Sequence, residues 1–327
     1  MKIVTVSLNL SLDKMYYFDN RIILGGMNRA DRTNIAIGGK GLNITRVLKV
    51  LGIDVISIGL CGGTNGKYLI ERLNSMNISN DFTATACETR LNIKLNSRNT
   101  QITELHEYGG PISDSEVCQL ITKLNSINEA EEIDLLFLSG SVPYGVSPLV
   151  YKDIMETFSD SKAKVIVDAE GIALSETLQS TICQPFLIKP NQYEFELLTR
   201  KKYDLNENYD VEMRQIRSDI EHILSKHEMR ILLSLGKYGA IYADNRCMQE
   251  SEAPSVTLRD TTCAGDALLA CFIAAYFGLV ESVPKDSVET ALSFATSGAA
   301  AMIERSGDIF PSYDDLFRYY LSIHGGL

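Results

Sequence analysis

The chain has 327 residues, of which 45% are hydrophobic and 22% are charged, as is ordinary for a soluble globular enzyme. Its formal net charge of −11 and pI near 5.0 argue against a nucleic-acid-binding protein, because binding the phosphate backbone requires a basic face. An anionic ligand must therefore be held by a few local cations.

Cysteine and histidine usage bears on the cell compartment and on metal chemistry. The seven cysteines are widely spread and never form a C-x-x-C pair, which predicts reduced thiols in a cytosolic protein. The four histidines form no zinc-binding pattern. Residues 1–18 lack the apolar core of a signal peptide, and the longest apolar run, residues 267–280, is shorter than a membrane span. We therefore expect a cytoplasmic protein without nucleic-acid or membrane partners.

Short apolar runs rich in β-branched residues alternate with stretches of helical periodicity. The runs cover residues 2–6, 55–58, 135–138, 164–167, 186–188 and 230–233. Continuous apolar strands separated by helices form a parallel sheet that is buried on both faces, so the pattern predicts a doubly wound, mainly parallel α/β fold. Ligands of such folds bind beyond the carboxyl ends of the strands. Polar residues follow three of these ends, at Asp168, at Lys189-Pro190-Asn191 and at Ser234-Leu235-Gly236.

Two segments, residues 14–36 and 84–110, carry alternating strand-like patterns without an intervening helix. They predict small antiparallel strands that project from the main sheet. We expect these strands to form a lid; the alternative is an edge extension of the central sheet. Because the chain has no internal repeat, low-complexity tract or proline-rich linker, we expect residues 1–327 to form a single domain with a minor lid.

The run Gly38-Gly39-Lys40-Gly41-Leu42-Asn43 precedes a predicted helix over residues 44–51. Glycines at a helix start let a polar ligand approach the backbone closely. The alternative is a tight turn, in which Lys40 and Asn43 would not be needed. A Walker P-loop does not fit, because Gly41 follows Lys40 and because Tyr68 follows the lysine of Gly66-Lys67. The glycines at 59, 62, 63 and 66 also lack dinucleotide-binding spacing.

The run Asp260-Thr261-Thr262-Cys263-Ala264-Gly265-Asp266 stands directly before the apolar stretch 267–280. It predicts a loop that enters the first turn of a buried helix, where backbone N–H groups and the helix dipole favour an anion. We expect the dipole to keep Asp266 ionised, so that its carboxylate can accept a proton from a hydroxyl. This arrangement is typical of a phosphotransferase. The alternative is that Asp266 is a favourable first-turn acid on a core helix.

Taken together, these motifs resemble the ribokinase-like (PfkB) carbohydrate kinases, and within them the branch of fructose-1-phosphate kinase and tagatose-6-phosphate kinase. The resemblance extends over nearly the whole chain. It is carried by residues 9–13, 38–43, 89–94, 103–107, 139–143, 189–194, 233–236 with Gly239-Ala240, and Ala264-Gly265-Asp266. It implies an ATP- and Mg²⁺-dependent kinase that converts a ketohexose monophosphate, of the fructose 1-phosphate or tagatose 6-phosphate type, to the bisphosphate.

The resemblance also implies roles for individual residues on the sugar side of the site. Asp266 would be the general base, and the amides around Cys263, Ala264, Gly265 and Asp266 would form an anion hole. Asp13 and Asn43 would bind sugar hydroxyls against the surface of Gly38 and Gly39. The phosphate already on the substrate would be bound by Arg29, Lys40 and Arg90, helped by Ser139.

On the nucleotide side, the resemblance implies that Lys189 and Asn191 face the phosphates of ATP. Glu194 would organise Mg²⁺, through water. The nucleotide would be bordered by Ser234, Gly236 and Gly239, with the small-residue helix at 295–301 packed near the adenine. Singly, other interpretations stand: Arg29 and Arg90 could be lid-surface charges, and Glu194 a helix N-terminal acid.

The sequence departs from the family pattern at four places, one of which is Cys271, at a small-residue position five residues beyond Asp266. Cys263 occupies the first glycine of the usual Gly-Ala-Gly-Asp, and Asp168-Ala169-Glu170-Gly171 replaces Asp-Thr-Ser-Gly. His106 stands where asparagine is common. A side chain at position 263 could restrict the geometry that aims the amides. These departures leave the sugar open and motivate an alternative, a catalytically weakened sugar-phosphate-binding or sensor protein of the same fold.

Two further inferences concern substrate class and assembly. A kinase of unphosphorylated sugars is a third possibility, but a neutral substrate would leave Arg29, Lys40 and Arg90 unpaired. The family resemblance implies a homodimer joined through the lid strands. Neither monovalent-cation dependence nor allosteric regulation by ATP follows from the sequence.

Overall fold

Strands and helices alternate along most of the computed structural model, which describes residues 1–97, 102–285, 287–305 and 309–324. The strands are β1 (Ile3–Ser7), β2 (Ser11–Phe18), β3 (Arg32–Gly38), β4 (Ile56–Gly62), β5 (Ser79–Asn80), β6 (Thr83–Thr85), β7 (Arg90–Ser97), β8 (Thr103–His106), β9 (Leu135–Gly140), β10 (Lys164–Ala169), β11 (Leu187–Ile188), β12 (Arg230–Ser234), β13 (Ala240–Ala243) and β14 (Met248–Ser251). The helices are α1 (Lys40–Val50), α2 (Gly63–Ser75), α3 (Asp114–Ala130), α4 (Val150–Thr157), α5 (Gly171–Thr177), α6 (Gln192–Thr199), α7 (Tyr209–Leu224), α8 (Ala264–Tyr276), α9 (Val288–Ile303) and α10 (Tyr313–His324).

The main sheet runs in the order β14-β13-β12-β11-β10-β9-β1-β4-β5, with β6 paired to β4 beside this path. Every pairing from β12 through β11, β10, β9 and β1 to β4 is parallel. The six predicted strands all belong to this parallel part. The predicted doubly wound α/β fold is therefore confirmed.

Helices cover both faces of the main sheet, which explains why its strands are continuous apolar runs. Leu135 and Phe137 of β9 point to one face, where they pack in a core with α1, α8, α9 and α10. The intervening Leu136 and Leu138 point to the other face and pack in a core with α3, α4 and α7. With both faces buried, the polar ends of the parallel strands remain as the place for ligands.

The edge of the main sheet beyond β12 was not predicted. Strands β13 and β14 form an antiparallel extension on β12. They are four residues each and follow a short 3₁₀ helix at Gly236–Tyr238. Runs this short carry little hydrophobic periodicity, so the sequence pattern could not separate them from a loop.

A second, four-stranded sheet has the order β3-β2-β7-β8 and is called the small sheet below. The pairs β2–β3 and β7–β8 are antiparallel, as predicted, but the central pair β2–β7 is parallel. The long connection between β2 and β7, which includes α1, β4 and α2, permits this parallel pairing. The strands begin at Ser11, earlier than the predicted 14, and residues 98–101 of the predicted 84–110 segment lie outside the described residues.

Two predicted helices are confirmed with shifted bounds. The helix predicted over 44–51 begins at Lys40, and the one predicted from 267 begins at Ala264 and ends at Tyr276. Across the described part of the chain, every helix falls short of the length and apolar character that crossing a membrane requires.

Candidate active site

The N-terminus of helix α8 forms the centre of the candidate site. Cys263, the residue that precedes the helix, has φ 64° and ψ 0°, and its side chain does not cap the helix. The first N–H groups of a helix have no intrahelical partner, so those of Gly265 and Asp266 are available to an anion. The rest of α8, from Ala267 to Ala275, is buried, which fixes the direction of this end.

The Asp266 carboxyl is held by a neighbour from helix α1. Asn43 Nδ2 donates a hydrogen bond of 2.8 Å to Asp266 Oδ2, and Asp266 is only 6% exposed. Burial and the charge of Asp168 raise the pKa of Asp266 to about 7, although Lys40, Asn43 and Lys189 lower it. Burial and a second carboxylate thus oppose the ionisation of Asp266 that we expected from the helix dipole.

Asp168, at the end of β10, pairs with two lysines. Lys189 Nζ lies 3.2 Å and Lys40 Nζ 3.5 Å from Asp168 Oδ1, which is ion-pair distance without hydrogen-bond geometry. Asp168 is fully buried, so its charge depends on these two ammonium groups. The three residues form a charged layer beside Asp266.

Lys40 occupies a place that differs from its predicted one. Its Nζ lies 3.2 Å from Glu170 Oε1 and 3.4 Å from Glu194 Oε1, in addition to Asp168. Burial lowers the pKa of Lys40, but Asp168, Glu194, Glu170 and Asp266 raise it further, so the lysine is charged. The sequence assigned Lys40 to the substrate phosphate, whereas in the structure its ammonium neutralises carboxylates that lie next to the base.

Lys189 lies against the helix α8 N-terminus. Its side chain is buried, and a Cβ added to Gly265 would lie 3.4 Å from Lys189 Nζ. The ammonium group therefore adds positive charge to the amides of the first turn of α8. This combination is suited to binding phosphate oxygens, in keeping with the role predicted for Lys189.

Asn191 and Glu194 form a capping box at the start of helix α6. Asn191 Oδ1 accepts from the Glu194 backbone N–H at 2.8 Å, and Glu194 Oε2 accepts from the Asn191 backbone N–H at 2.8 Å. The alternative role of Glu194 as a helix N-terminal acid is thus present in the structure. Its other oxygen, Oε1, faces Lys40, so one side chain serves both the helix and the charged layer.

Carboxylate oxygens that could bind a divalent cation lie around Lys40. Both carboxylate oxygens of Asp168 are buried without a hydrogen-bond donor in the described residues, and Glu194 Oε1 and Glu170 Oε1 face the same ammonium. Within those residues, no group of three or more Asp, Glu, His or Cys side chains is placed to hold a metal ion alone. These carboxylate oxygens are therefore suited to bind a cation whose other ligands are phosphate oxygens and water.

Ser234, Gly236 and Gly239 follow β12, next to Asn191. An isolated parallel bridge joins Asn191 to Ser234, and the Ser234 N–H donates to Pro190 O at 3.0 Å. Gly239 has φ 90°, and a Cβ there would lie 1.9 Å from the carbonyl oxygen of Ser251. The predicted nucleotide-side residues are therefore adjacent on two neighbouring strand ends.

On the other side of Asp266, a cavity lies between the small sheet and the α8 loop. Its lining residues include Asp13, Gly38, Asn43 and Cys263. Asp13 Oδ1 accepts from Ser11 Oγ at 2.8 Å and from Asn92 Nδ2 at 2.9 Å, which orients the carboxylate. The structure thus brings together the residues predicted to bind sugar hydroxyls.

Gly38 and Gly39 lie where a side chain would not fit. A Cβ at Gly38 would lie 2.5 Å from Ser11 Oγ, and one at Gly39, where φ is 135°, would lie 2.8 Å from Leu10 Cδ2. The glycines therefore let helix α1 start directly against the small sheet. This places Asn43 within reach of Asp266.

The predicted phosphate-binding cations are only partly brought together. Arg90 is held by backbone oxygens of Asn9 and Glu107 at 3.5 Å; burial lowers its pKa, although Asp13 and Glu170 oppose this. Arg90 Nε and Ser139 Oγ are both buried and have no hydrogen-bond partner in the described part of the chain. Arg29 is exposed in the loop between β2 and β3 and does not line the cavity.

Two further basic residues that line the cavity, and one amide that binds Asp13, were not predicted as site residues. Lys94 and Arg46 line it, and Asn92 Oδ1 is buried without a donor in the described residues. Arg90, Asn92 and Lys94 alternate along β7, so they share one face of the strand. This alternation was present in the sequence and could have identified Asn92 and Lys94.

Comparisons with known proteins show similarity to carbohydrate kinases over most of the chain. A family model for the pfkB family carbohydrate kinases matches residues 7–315. A D-tagatose-1-phosphate kinase from Bacillus licheniformis is 31% identical over 83% of this chain and 84% of its own length. A 1-phosphofructokinase from Bacillus subtilis is 28% identical over 93% of this chain and 94% of its own length.

Solved structures agree on the fold. Phosphofructokinase-2 from Escherichia coli in complex with fructose-6-phosphate has a TM-score of 0.83 and 25% identity, with 99% of both chains covered. A ribokinase from Thermotoga maritima has a TM-score of 0.71 at 19% identity and covers 98% of this chain and 99% of its own. The second likeness shows the ribokinase-like fold alone.

Proposed function

The chain belongs to the pfkB family of carbohydrate kinases and is an enzyme with ATP as co-substrate, and we propose that its acceptor is a ketohexose 1-phosphate. The observation that carries the proposal is the position of Asp266, between the cavity lined by Asp13 and Asn43 and the lysine-lined N-terminus of α8. The two relatives described above are named a D-tagatose-1-phosphate kinase and a 1-phosphofructokinase. Both point to phosphate at position 1 rather than to the tagatose 6-phosphate considered from the sequence.

The proposed reaction is an in-line transfer to the free primary hydroxyl of the sugar. Asp266 takes the hydroxyl proton while the sugar oxygen forms a bond to the γ-phosphorus and the bond to the β-phosphate oxygen breaks. The amides of Gly265 and Asp266, with Lys189 beside them, bind the phosphoryl oxygens as charge moves across them. Asn43 orients the carboxyl that accepts the proton.

Nucleotide and metal binding follow from the same arrangement. Lys189, the Nδ2 amide of Asn191 and the loop of Ser234, Gly236 and Gly239 border the proposed ATP site. When bound, Mg²⁺ would neutralise phosphate charge, and Glu194 and Asp168 are the residues that would hold it, through water or phosphate. Lys40 then balances the carboxylates of this region.

The phosphate on the sugar is proposed to bind near Arg90 and Ser139. Both present a buried polar atom without a partner in the described residues, and each such atom is costly until a ligand pairs with it. An unphosphorylated sugar would leave the Arg90 guanidinium without an anion. This argues against a kinase of neutral sugars as the second candidate.

A sensor protein without turnover is also less well supported than a kinase. A protein that only binds sugar phosphate has no need of a base near neutrality next to an anion-binding helix end. The similarity to named kinases covers most of the chain. We therefore retain the kinase as the proposed function.

Four further expectations are kept as proposals. The small sheet acts as a lid over the cavity, because Asp13, Gly38 and Lys94 reach the cavity from its strands. Residues 1–327 act as one kinase domain, whose lid also joins two copies into a homodimer. A cytoplasmic location is supported by the seven cysteines, which are all free thiols.

The testing experiment is a kcat/KM screen with ATP and a coupled assay of ADP release. The substrates are fructose 1-phosphate, tagatose 1-phosphate, fructose 6-phosphate, tagatose 6-phosphate and fructose. We expect the 1-phosphates to give the highest values and fructose the lowest. The Asp266→Ala variant should lower kcat by roughly 10²–10⁴-fold with little change in nucleotide binding. Equal turnover of fructose, or an unchanged kcat in this variant, would contradict the proposal.

A further inference from the structure

Lys94 is a buried cation at the cavity that the reaction described above does not use. It lies on β7 of the small sheet, on the face shared with Arg90 and Asn92, and is 6% exposed. It lines the cavity together with Cys263 and Asn43. Its position places an ammonium group of the small sheet beside the loop that leads into α8.

The contacts of Lys94 join the small sheet to that loop. Lys94 Nζ donates a hydrogen bond of 3.1 Å to Thr262 Oγ1 and lies 3.5 Å from Glu104 Oε1. The Thr262 N–H in turn donates to Asp260 Oδ1 at 2.8 Å. Thr262 immediately precedes Cys263, so Lys94 holds the residue next to the left-handed turn.

This turn needs an external support. Cys263 adopts φ 64°, which a non-glycine residue enters at a cost of about 1 kcal/mol, and its side chain does not cap α8. The conformation of this residue determines how the chain enters the first turn of α8. A hydrogen bond from a rigid strand to Thr262 fixes the chain immediately before the turn.

The burial of a lysine at this place also needs a reason. A buried ammonium is costly, and its acidic partner Glu104 has a side chain that is 41% exposed, which makes the pair weak. The positive end of a helix dipole is a further unfavourable neighbour for a cation. Both costs fall when negative phosphoryl oxygens occupy the helix end.

We propose that Lys94 is a positioning residue, which holds Thr262 and thereby aims the amides of the α8 first turn at the transferring phosphoryl group. The inference rests on the proposed kinase function. It assigns Lys94 an effect on the transfer step rather than on the binding of either substrate. The charge of Lys94 matters less than its hydrogen bond to Thr262.

The experiment is a double-mutant cycle with the variants Lys94→Met, Thr262→Val and both together. A hydrogen bond to a charged group corresponds to a change of about 10- to 100-fold, so we expect each single variant to lower kcat by that factor. The KM for ATP should change less than about threefold. The double variant should be no slower than the slower single variant, because both remove the same contact.

Two matched variants separate the hydrogen bond from other effects. Thr262→Ser keeps the hydroxyl and should retain kcat within about threefold, and Glu104→Gln removes the second partner of Lys94 and should do the same. If the kcat losses of the two single variants multiplied in the double variant, the proposal would be overturned. A loss in Glu104→Gln as large as that in Lys94→Met, or an effect confined to the KM of the sugar phosphate, would also overturn it.

A second readout requires no turnover. Hydrogen exchange of the backbone amides of residues 260–266, measured without substrate, should be faster in Lys94→Met and Thr262→Val than in the wild type and unchanged in Thr262→Ser. Unchanged exchange in both loss-of-contact variants would overturn the positioning role. If the wild type turned over none of the sugar phosphates, the proposed function would fail, and this readout would still decide on the contact.

Discussion

The ionisation of Asp266 is set by neighbours that act in opposite directions. Burial and Asp168 raise its pKa, while Lys40, Asn43 and Lys189 lower it, with a result of about 7. A general base must be unprotonated, so we expect kcat/KM to increase about tenfold per pH unit below pH 7 and to level off above it. A pH–rate profile of the wild type measures this. A profile that is level down to about pH 5 would exclude a base with this pKa.

The same electrostatics predict the effect of Lys40 with a definite sign. Lys40→Met removes a cation that lowers the pKa of Asp266, and the pKa of Asp266 therefore rises in this variant. The ascending part of the pH–rate profile then moves to higher pH. If the ascending part of the pH–rate profile came from ionisation of the substrates, it would stay at the same pH, because their phosphates ionise near pH 6 with either enzyme. The comparison of the two profiles is therefore the measurement. A shift to lower pH would contradict the assigned role of Lys40.

Cys263 departs from the family pattern but has a backbone conformation that is open to glycine. Its φ of 64° and ψ of 0° are values that glycine adopts freely, so the turn has the shape that a glycine would give. We therefore expect Cys263→Gly to keep kcat within about threefold of the wild type. Steady-state kinetics with a saturating sugar phosphate tests this. An increase of tenfold or more would show that the thiol side chain slows turnover.

At the scale of elements, the turn after β12 depends more on Gly239 than on Gly236. A Cβ at Gly239 would lie 1.9 Å from the Ser251 carbonyl oxygen, whereas one at Gly236, where φ is 59°, would have nothing within 4 Å. We expect Gly239→Ala to lower the free energy of unfolding by about 3 kcal/mol, because backbone must move and φ is 90°. Gly236→Ala is the matched control and should cost about 1 kcal/mol.

Urea unfolding followed by circular dichroism at 222 nm measures both glycine variants, since the chain has no tryptophan. Similar losses in the two variants would mean that backbone conformation, and not the contact with β14, governs this turn. A small loss in Gly239→Ala would show that β14 can move away from the start of β13. Either result would revise how the edge of the main sheet supports the proposed nucleotide site.

The elements that were predictable are those whose burial leaves a trace in the sequence. The parallel strands lie between two helical layers, so they appear as apolar runs, and the glycines and acids at their ends mark the site rim. The four-residue strands β13 and β14 and the parallel pairing of β2 with β7 leave no such trace. Strand pairing depends on where distant segments meet, which local periodicity does not encode.

Charge interactions were harder to predict than positions. The sequence identified Lys40, Glu194 and Asp266, but their mutual contacts arise only when α1, α6 and α8 meet at one edge of the sheet. The pKa of Asp266 depends on Asp168, which is more than ninety residues away in sequence. Lys94 was overlooked because its partner Thr262 also lies far along the chain.

At the scale of the whole molecule, acidic composition and anion binding are reconciled by where the cations lie. The formal net charge is −11, yet Lys189 at the α8 N-terminus and Lys94 on β7 are buried around the candidate site, and Arg90 on the same face of β7 is half-buried. Buried cations are screened less than surface charges, so a few suffice to attract two phosphorylated substrates.

Assembly is the remaining property at this scale, and the loop between β2 and β3 makes it testable. Leu24 is 93% and Met27 91% exposed, with Ile23 beside them at 63%. Apolar side chains grouped this way mark an interface, so we expect a homodimer in solution, with a mass twice the 36.2 kDa of the chain.

Leu24→Glu combined with Met27→Glu should give the monomer mass in light scattering coupled to gel filtration. Ile182→Glu, at an apolar position that is 63% exposed and lies outside the small sheet, is the control and should leave the dimer intact. A wild-type mass other than that of a dimer, or an equal loss of assembly in the control, would contradict a homodimer joined through this sheet.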